Sequence, residues 1–217
     1  DDGLASSLVT GTTARKQQIT ATTSDETEGP PLVGVCAGEG QNSVVWGRAF
    51  GNGAYCCGPN QAKQLGIGKQ TPTRWMAIHV PKPVLMVSAG SHHSLLCAVD
   101  GQVFSCGRGD GGQLGLGDKT KTTTNFQPIP SLATKIRTVA VASSARRFEN
   151  QSASFCLDEQ GAVFAFGNNN FMKLGIGEAE PPAHAWTPTR VHFPASVVAG
   201  APATCPSSSS AAPSQQG

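Results

Sequence analysis

Apolar residues in this chain fall into short runs separated by polar, glycine-bearing and proline-bearing stretches, a pattern that predicts strands joined by many turns. The run Val103–Cys106 predicts a β-strand. Gly107–Gly112 follows as a glycine-rich reversal, and Leu114, Gly115, Leu116 and Gly117 form a compact turn. The same design occurs at Ala54–Gly68 and Val163–Gly177. In all three copies a glycine closes the strand (Gly58, Gly107, Gly167), and an LGxG follows with its first glycine eight residues on (Gly66, Gly115, Gly175). The LGxG ends on Gly68, Gly117 and Gly177. A fixed offset repeated three times carries more than any single copy. The copies are 49 and then 60 residues apart, a period that signals propellers or solenoids.

The rest of each repeat can be laid out around this stretch. A strand opens each copy at Val35-Cys36-Ala37-Gly38, Val87-Ser88-Ala89-Gly90 and Val139-Ala140-Val141-Ala142. A serine then precedes a second apolar run, at Ser43, Ser94 and Ser154. Asp100-Gly101 and Gln160-Gly161 predict tight hairpins, and Arg48–Gly53 a wider one. After each LGxG comes a proline-bearing segment, around Pro72, Pro128 and Pro188, as suits outer strands. Residues 145–151 of the third copy are an insertion, expected to be an exposed loop. Residues 1–30 predict a disordered lead-in, 31–200 three propeller repeats with the start of a fourth at Val197–Gly200, and 201–217 a disordered Ser/Ala/Pro-rich tail.

Composition sharpens this picture. Charged residues make up only 14% of the chain, beside 26 glycines and 15 prolines, a mixture that favours turns over a helical bundle. The net charge of +2 hides an asymmetry: residues 1–30 carry five acidic and two basic groups, leaving nine acidic and fourteen basic elsewhere. That mild excess has no block of like charge, so nucleic acid is not indicated as a partner. No apolar run approaches the length of a membrane helix. The seven cysteines are not in CxxC pairs, and Cys57 and Cys106 occupy a position where the third copy has Phe166. Cysteines interchangeable with phenylalanine are buried apolar residues, which points to a reducing, intracellular setting, cytoplasmic or nuclear.

The pattern at Ala89–Gly117, AGSHHSLLCAVDGQVFSCGRGDGGQLGLG, resembles the repeat of the regulator of chromosome condensation family, and the resemblance extends over Val35–Gly200. The third copy departs from it with Lys173 for the Gln and Ser143 for a Gly. The kelch aromatic markers and the WD40 Trp-Asp ending are absent. The resemblance implies an all-β fold, a β-propeller of four-stranded blades, of which this chain holds an arc of about three. It also implies a protein-interaction module, or alternatively guanine-nucleotide exchange on a small GTPase, as in the family's founding member. No residue here can be matched to that exchange role.

Other signals are weaker. Gly107–Gly112 matches GxGxxG, but GQLGLG after it is a poor helix, so a blade turn is expected and no cofactor is called for. Arg108-Gly109-Asp110 and Asn150-Gln151-Ser152 are read as chance. His92 and His93 are adjacent, which in a strand sends them to opposite faces, so a structural role is expected and no metal. The resemblance places His93 in a hydrogen bond within its own blade. Trp75 and Trp186 lie in the outer segments, and the Gly-Trp-Arg-His-Thr motif of the related plant photoreceptor is missing. No catalytic set stands out, and an enzyme is not expected. Arg146, Arg147 and Phe148 form a basic–aromatic cluster that is the first candidate for an interaction loop. The arc's ends are expected to leave Val163, Phe164 and Phe166 partly wetted.

Overall fold

A computed structural model describes residues 33–38, 40–117, 121–142, 151–177 and 182–193. They form three antiparallel sheets of four strands each, every sheet in simple up-and-down order. The first holds β1 (Val33–Ala37), β2 (Ser43–Gly47), β3 (Gly53–Cys57) and β4 (Met76–Ile78). The second holds β5 (Val84–Ala89), β6 (His93–Ala98), β7 (Val103–Arg108) and β8 (Thr122–Pro128). The third holds β9 (Ile136–Ala142), β10 (Ala153–Asp158), β11 (Val163–Asn168) and β12 (His184–Arg190). Single 3-10 turns sit at Arg48–Phe50, the wider hairpin of the first copy, and at Asn170–Met172. This is an arc of three propeller blades. The lead-in, the tail, Val197–Gly200 and the insertion with Arg146, Arg147 and Phe148 lie outside the described residues.

The repeat in the sequence is a repeat of register. Ser43, Ser94 and Ser154 pair with Cys57, Cys106 and Phe166, each the residue before the closing glycine. The predicted hairpin after Ala98 forms with Gly101 at φ 86°, and Asp100 accepts the Gln102 N–H. Its counterpart uses Gly161 at φ 85°, with Asp158 accepting from Gln160 and Ala162.

Each blade alone would leave its faces wet, so the core lies between blades. Trp46 is buried and donates Nε1–H to the Leu85 carbonyl of the next blade, 2.9 Å away. Between the second and third blades, Val141 N–H donates to Ser88 Oγ at 3.0 Å, and the Cys97 thiol reaches the Ile136 carbonyl at 3.2 Å. The buried apolar residues of all three blades form one contiguous cluster. The leucine of every LGxG is almost fully enclosed (Leu65, Leu114 and Leu174), and Leu65 and Leu174 belong to that cluster.

One expectation is corrected here and another is extended. Phe166 is not wetted: it is completely buried, because the turn at Gly115 of the preceding blade covers it, whereas Val163 and Phe164 are half-buried. The His93 bond that the fold shows reaches beyond its own blade. Its Nε2 meets Ser154 Oγ of the next blade at 2.9 Å, a bond between residues 61 apart in sequence.

Candidate interaction surface

The nine repeat glycines all adopt left-handed or otherwise positive φ, between 64° and 114°. They do not form a binding site; they shape the loops that do. Gly107 shows why no side chain is tolerated at the end of the third strand. A Cβ there would sit 2.4 Å from the His92 carbonyl oxygen and 3.2 Å from Gln64 Cα of the preceding blade. Gly167 repeats this against Ser152 and Gln113. The chain therefore passes closely over its own blade and its neighbour before it reverses into the loop.

Those reversals, together with the loops between first and second strands, line a cleft of about 860 Å³ between the first and second blades. Its walls carry Lys63, His92, Arg108, Asp110 and Lys121, with Gln61 and Gln64 among the neutral polar groups. Arg108 grips Asp110 in a two-pronged ion pair: Nε–H donates at 2.8 and 2.9 Å and Nη2–H at 2.6 Å. The tripeptide that looked accidental in the sequence thus holds a charge pair at the cleft wall. Lys63 stands at φ 65°, where the second copy has Gly112 at φ 83°, so the turn imposes its backbone on whatever residue occupies the place. Burial first, and then Arg108, hold the His92 imidazole below its ordinary value, with Asp110 pulling the other way.

Four of the cysteines are held as thiols by burial. Burial, reinforced by Cys57, pushes the Cys56 thiol up to about 12, and burial, with Asp100 adding, does the same to Cys97. Cys106 and Cys156 are raised too, chiefly by burial. Protonated thiols are poor nucleophiles. Among the described residues, no group of three His, Cys, Asp or Glu is placed to hold a metal. The GxGxxG stretch leads into turns and not into a helix. Trp46 is core, Trp186 is half-buried beside His184, and Trp75 is 51% exposed. Sequence reasoning missed the cleft because two blades build it from segments about 50 residues apart; the loops' charges are visible in the sequence, but their convergence is not.

Comparison with known proteins bears on the repeat directly. The sequence profile of the regulator of chromosome condensation (RCC1) repeat matches residues 100–146. That stretch is a repeat of this kind, and the three blades are similar to it. Regulator of chromosome condensation from Xenopus laevis is 34% identical over 104 residues, which is 48% of this chain and 22% of the relative. Probable E3 ubiquitin-protein ligase HERC4 of Homo sapiens is 31% identical over 125 residues, 56% of this chain and 11% of the ligase. X-linked retinitis pigmentosa GTPase regulator of Homo sapiens is 31% identical over 150 residues, 66% of this chain and 13% of that protein. The chain thus spans a fifth or less of the length of most such relatives. Among solved structures, human WBSCR16 superposes with a TM-score of 0.62 at 24% identity, covering 76% of this chain and 40% of that one. Yeast RCC1 (Prp20), solved bound to Kap60, gives 0.61 at 22% identity, covering 77% and 40%. These repeats therefore share the fold of much longer propeller chains. Among the described residues no helix is long and apolar enough to cross a membrane.

Proposed function

We propose that this chain is an intracellular protein-interaction module, cytoplasmic or nuclear, whose partner is gripped by loops at the inter-blade cleft. The observation that carries the reading is the contrast between rigid blades and polar loops. Hydrogen bonds and buried side chains lock one blade to the next, while Lys63, Arg108 and Lys121 converge on an open cleft. Rigid scaffolds that carry variable loops are a common way to build binding surfaces. Catalysis by the chain itself has no support: the similarity to a ubiquitin ligase extends over only 11% of that enzyme.

The test is capture. The 217-residue chain, immobilised, should retain a defined set of soluble proteins from a cell extract. The Lys63→Glu, Arg108→Ala, Lys121→Glu triple variant should lose most of that set while keeping its unfolding temperature. Equal capture by both would remove the cleft from the account.

A second reading, guanine-nucleotide exchange, is favoured by one observation. One relative is named a GTPase regulator, and a further structural neighbour, yeast Prp20p, was described with its binding to Gsp1p and histones. Release of labelled GDP from a panel of small GTPases decides it. Acceleration by substoichiometric chain would replace the scaffold reading with exchange; unchanged release leaves the scaffold.

A further inference from the structure

Lysines at the two ends of the sheets are treated differently. β6 runs from His93, beside the cleft residue His92, to Ala98 at the hairpin, so cleft and hairpins lie at opposite ends. At the hairpin end, Lys82 Nζ stands 2.5 Å from Asp100 and Lys135 Nζ 2.7 Å from Glu159, so each exposed ammonium has its carboxylate. At the cleft end, Lys63 and Lys121 have no carboxylate partner among the described residues. Lys63 Nζ reaches only the Asn60 carbonyl, at 3.5 Å. The carboxylate among the described lining residues is Asp110, and Arg108 already holds it at 2.6 Å.

Backbone contacts fix where these cations stand. Gly109 N–H donates to the Lys121 carbonyl at 2.7 Å, and Arg108 faces Thr122 across the sheet. Arg108 and Lys121 therefore share one wall, supplied by the second blade. Lys63 comes from the first blade, in a turn closed by its own N–H on the Asn60 carbonyl at 3.1 Å. Its φ is 65°, at the place that the second copy gives to Gly112. A lysine there carries a backbone cost that glycine avoids, and what it adds is a cation on the cleft wall. Gln41, also lining the cleft, is left-handed too, with φ 60°. Strained backbone of this kind gathers at binding sites.

The chemistry of the walls selects the ligand. Two ammonium groups without counter-ions, beside a guanidinium that already accommodates one carboxylate, suit further carboxylates. No aromatic ring is among the described lining residues, so nucleic-acid bases have no face on which to stack. At about 860 Å³ the cleft has room for a short extended segment.

We propose that the cleft takes an acidic segment of a partner protein, its Asp and Glu carboxylates lying between Lys63 on one wall and Lys121 and Arg108 on the other. The assignment rests on the reading of the cleft as the binding surface and names the chemistry of what binds there. A carboxylate approaching Arg108 shares it with Asp110, so the two lysines lead the recognition. Ion pairs at such exposed positions are individually weak and screened by salt, which makes the contact modest in affinity and sensitive to ionic strength.

Fluorescence anisotropy on the whole chain tests it with two labelled peptides, Gly-Glu-Asp-Glu-Asp-Glu-Gly and its amide counterpart Gly-Gln-Asn-Gln-Asn-Gln-Gly. The acidic peptide should bind about tenfold or more tighter than the amide, and lose about tenfold between roughly 0.05 and 0.3 M salt. Lys63→Gly with Lys121→Gln removes both unpaired cations, the first with the residue that the second copy already places in this turn. That double variant should keep its circular dichroism spectrum and weaken the acidic peptide about tenfold. Lys82→Gln with Lys135→Gln removes the same charge at the hairpin end and should leave binding unchanged. Equal affinity for the two peptides overturns the proposal without recourse to any variant. Equal weakening by the two double variants overturns it as well, because net charge and not the cleft then attracts the peptide. Tighter binding of an oligouridylate of the same charge overturns it in favour of nucleic acid. Should capture from extract depend on the cleft while the acidic peptide fails to bind, the interaction reading stands and the acidic class alone falls.

Discussion

The turns at Gly115 and Gly175 share a sequence pattern and a backbone conformation, φ 66° and 64°, yet their surroundings differ completely. Gly115 is buried, presses on Phe166 and sits beside the hydrogen bond from Gly117 to Trp186. Gly175 is exposed, and among the described residues a single methyl group lies near it. The comparison separates two reasons for a repeated glycine. One is local: the backbone must turn left-handed, wherever the copy lies. The other belongs to the junction: the next blade approaches so closely that no Cβ fits. Only blades followed by another blade feel the second.

The largest effect expected from breaking a junction is at the ring beneath the turn. Phe166→Ala empties a fully buried aromatic site and should cost about 3–5 kcal/mol by denaturant unfolding. Phe171→Ala, three-quarters or more exposed, should cost almost nothing in the same assay.

Next comes the glycine pair itself. Gly175→Ala carries only the left-handed penalty, about 1–2 kcal/mol. Gly115→Ala adds an overpacked contact with Phe166 worth about 1–3 kcal/mol more. Equal unfolding midpoints for the two variants would collapse the distinction.

The strands were legible from the sequence because each depends on neighbours in its own repeat. Ser94 before Leu95-Leu96, or Asp100-Gly101 between β-prone runs, states its local structure within a few residues. The junctions were not legible, because their partners come from different copies. Nothing near Ser154 says that it bonds to Gln113 and His93, 41 and 61 residues away. The exchange of Cys106 for Phe166 was visible and pointed to a buried apolar site, which holds at those two positions, whereas Cys57 in the same place on the first blade is only half-buried.

A smaller effect sharpens the polar side of the comparison. Ser154→Ala leaves the buried Gln113 carbonyl without its hydroxyl donor and should cost about 1–3 kcal/mol. Ser43→Ala, at the half-buried counterpart in the first blade, should change the unfolding midpoint little. A similar loss for both would mean the serine works within its own blade.

The smallest effect concerns pH. His92 has a folded value below its ordinary 6.5, chiefly through burial, so the unfolded chain binds the proton more readily. Its contribution to stability is complete above about 6.5 and is lost as pH falls through the depressed folded value. Denaturant midpoints measured from pH 8 to 5 should decline less steeply for His92→Gln than for the parent. Parallel curves would show that Asp110 cancels the effect of burial.

Hydrogen exchange at two amides tests the role of the junction most directly. The Gly117 amide donates to the Trp186 carbonyl of the third blade, and among the described residues no such bond is made by Gly177. Gly117 should exchange only through openings that approach global unfolding, and Gly177 orders of magnitude faster. Equal protection at the two glycines would mean that the LGxG turn holds itself together, contradicting the account of it as a device that joins one blade to the next.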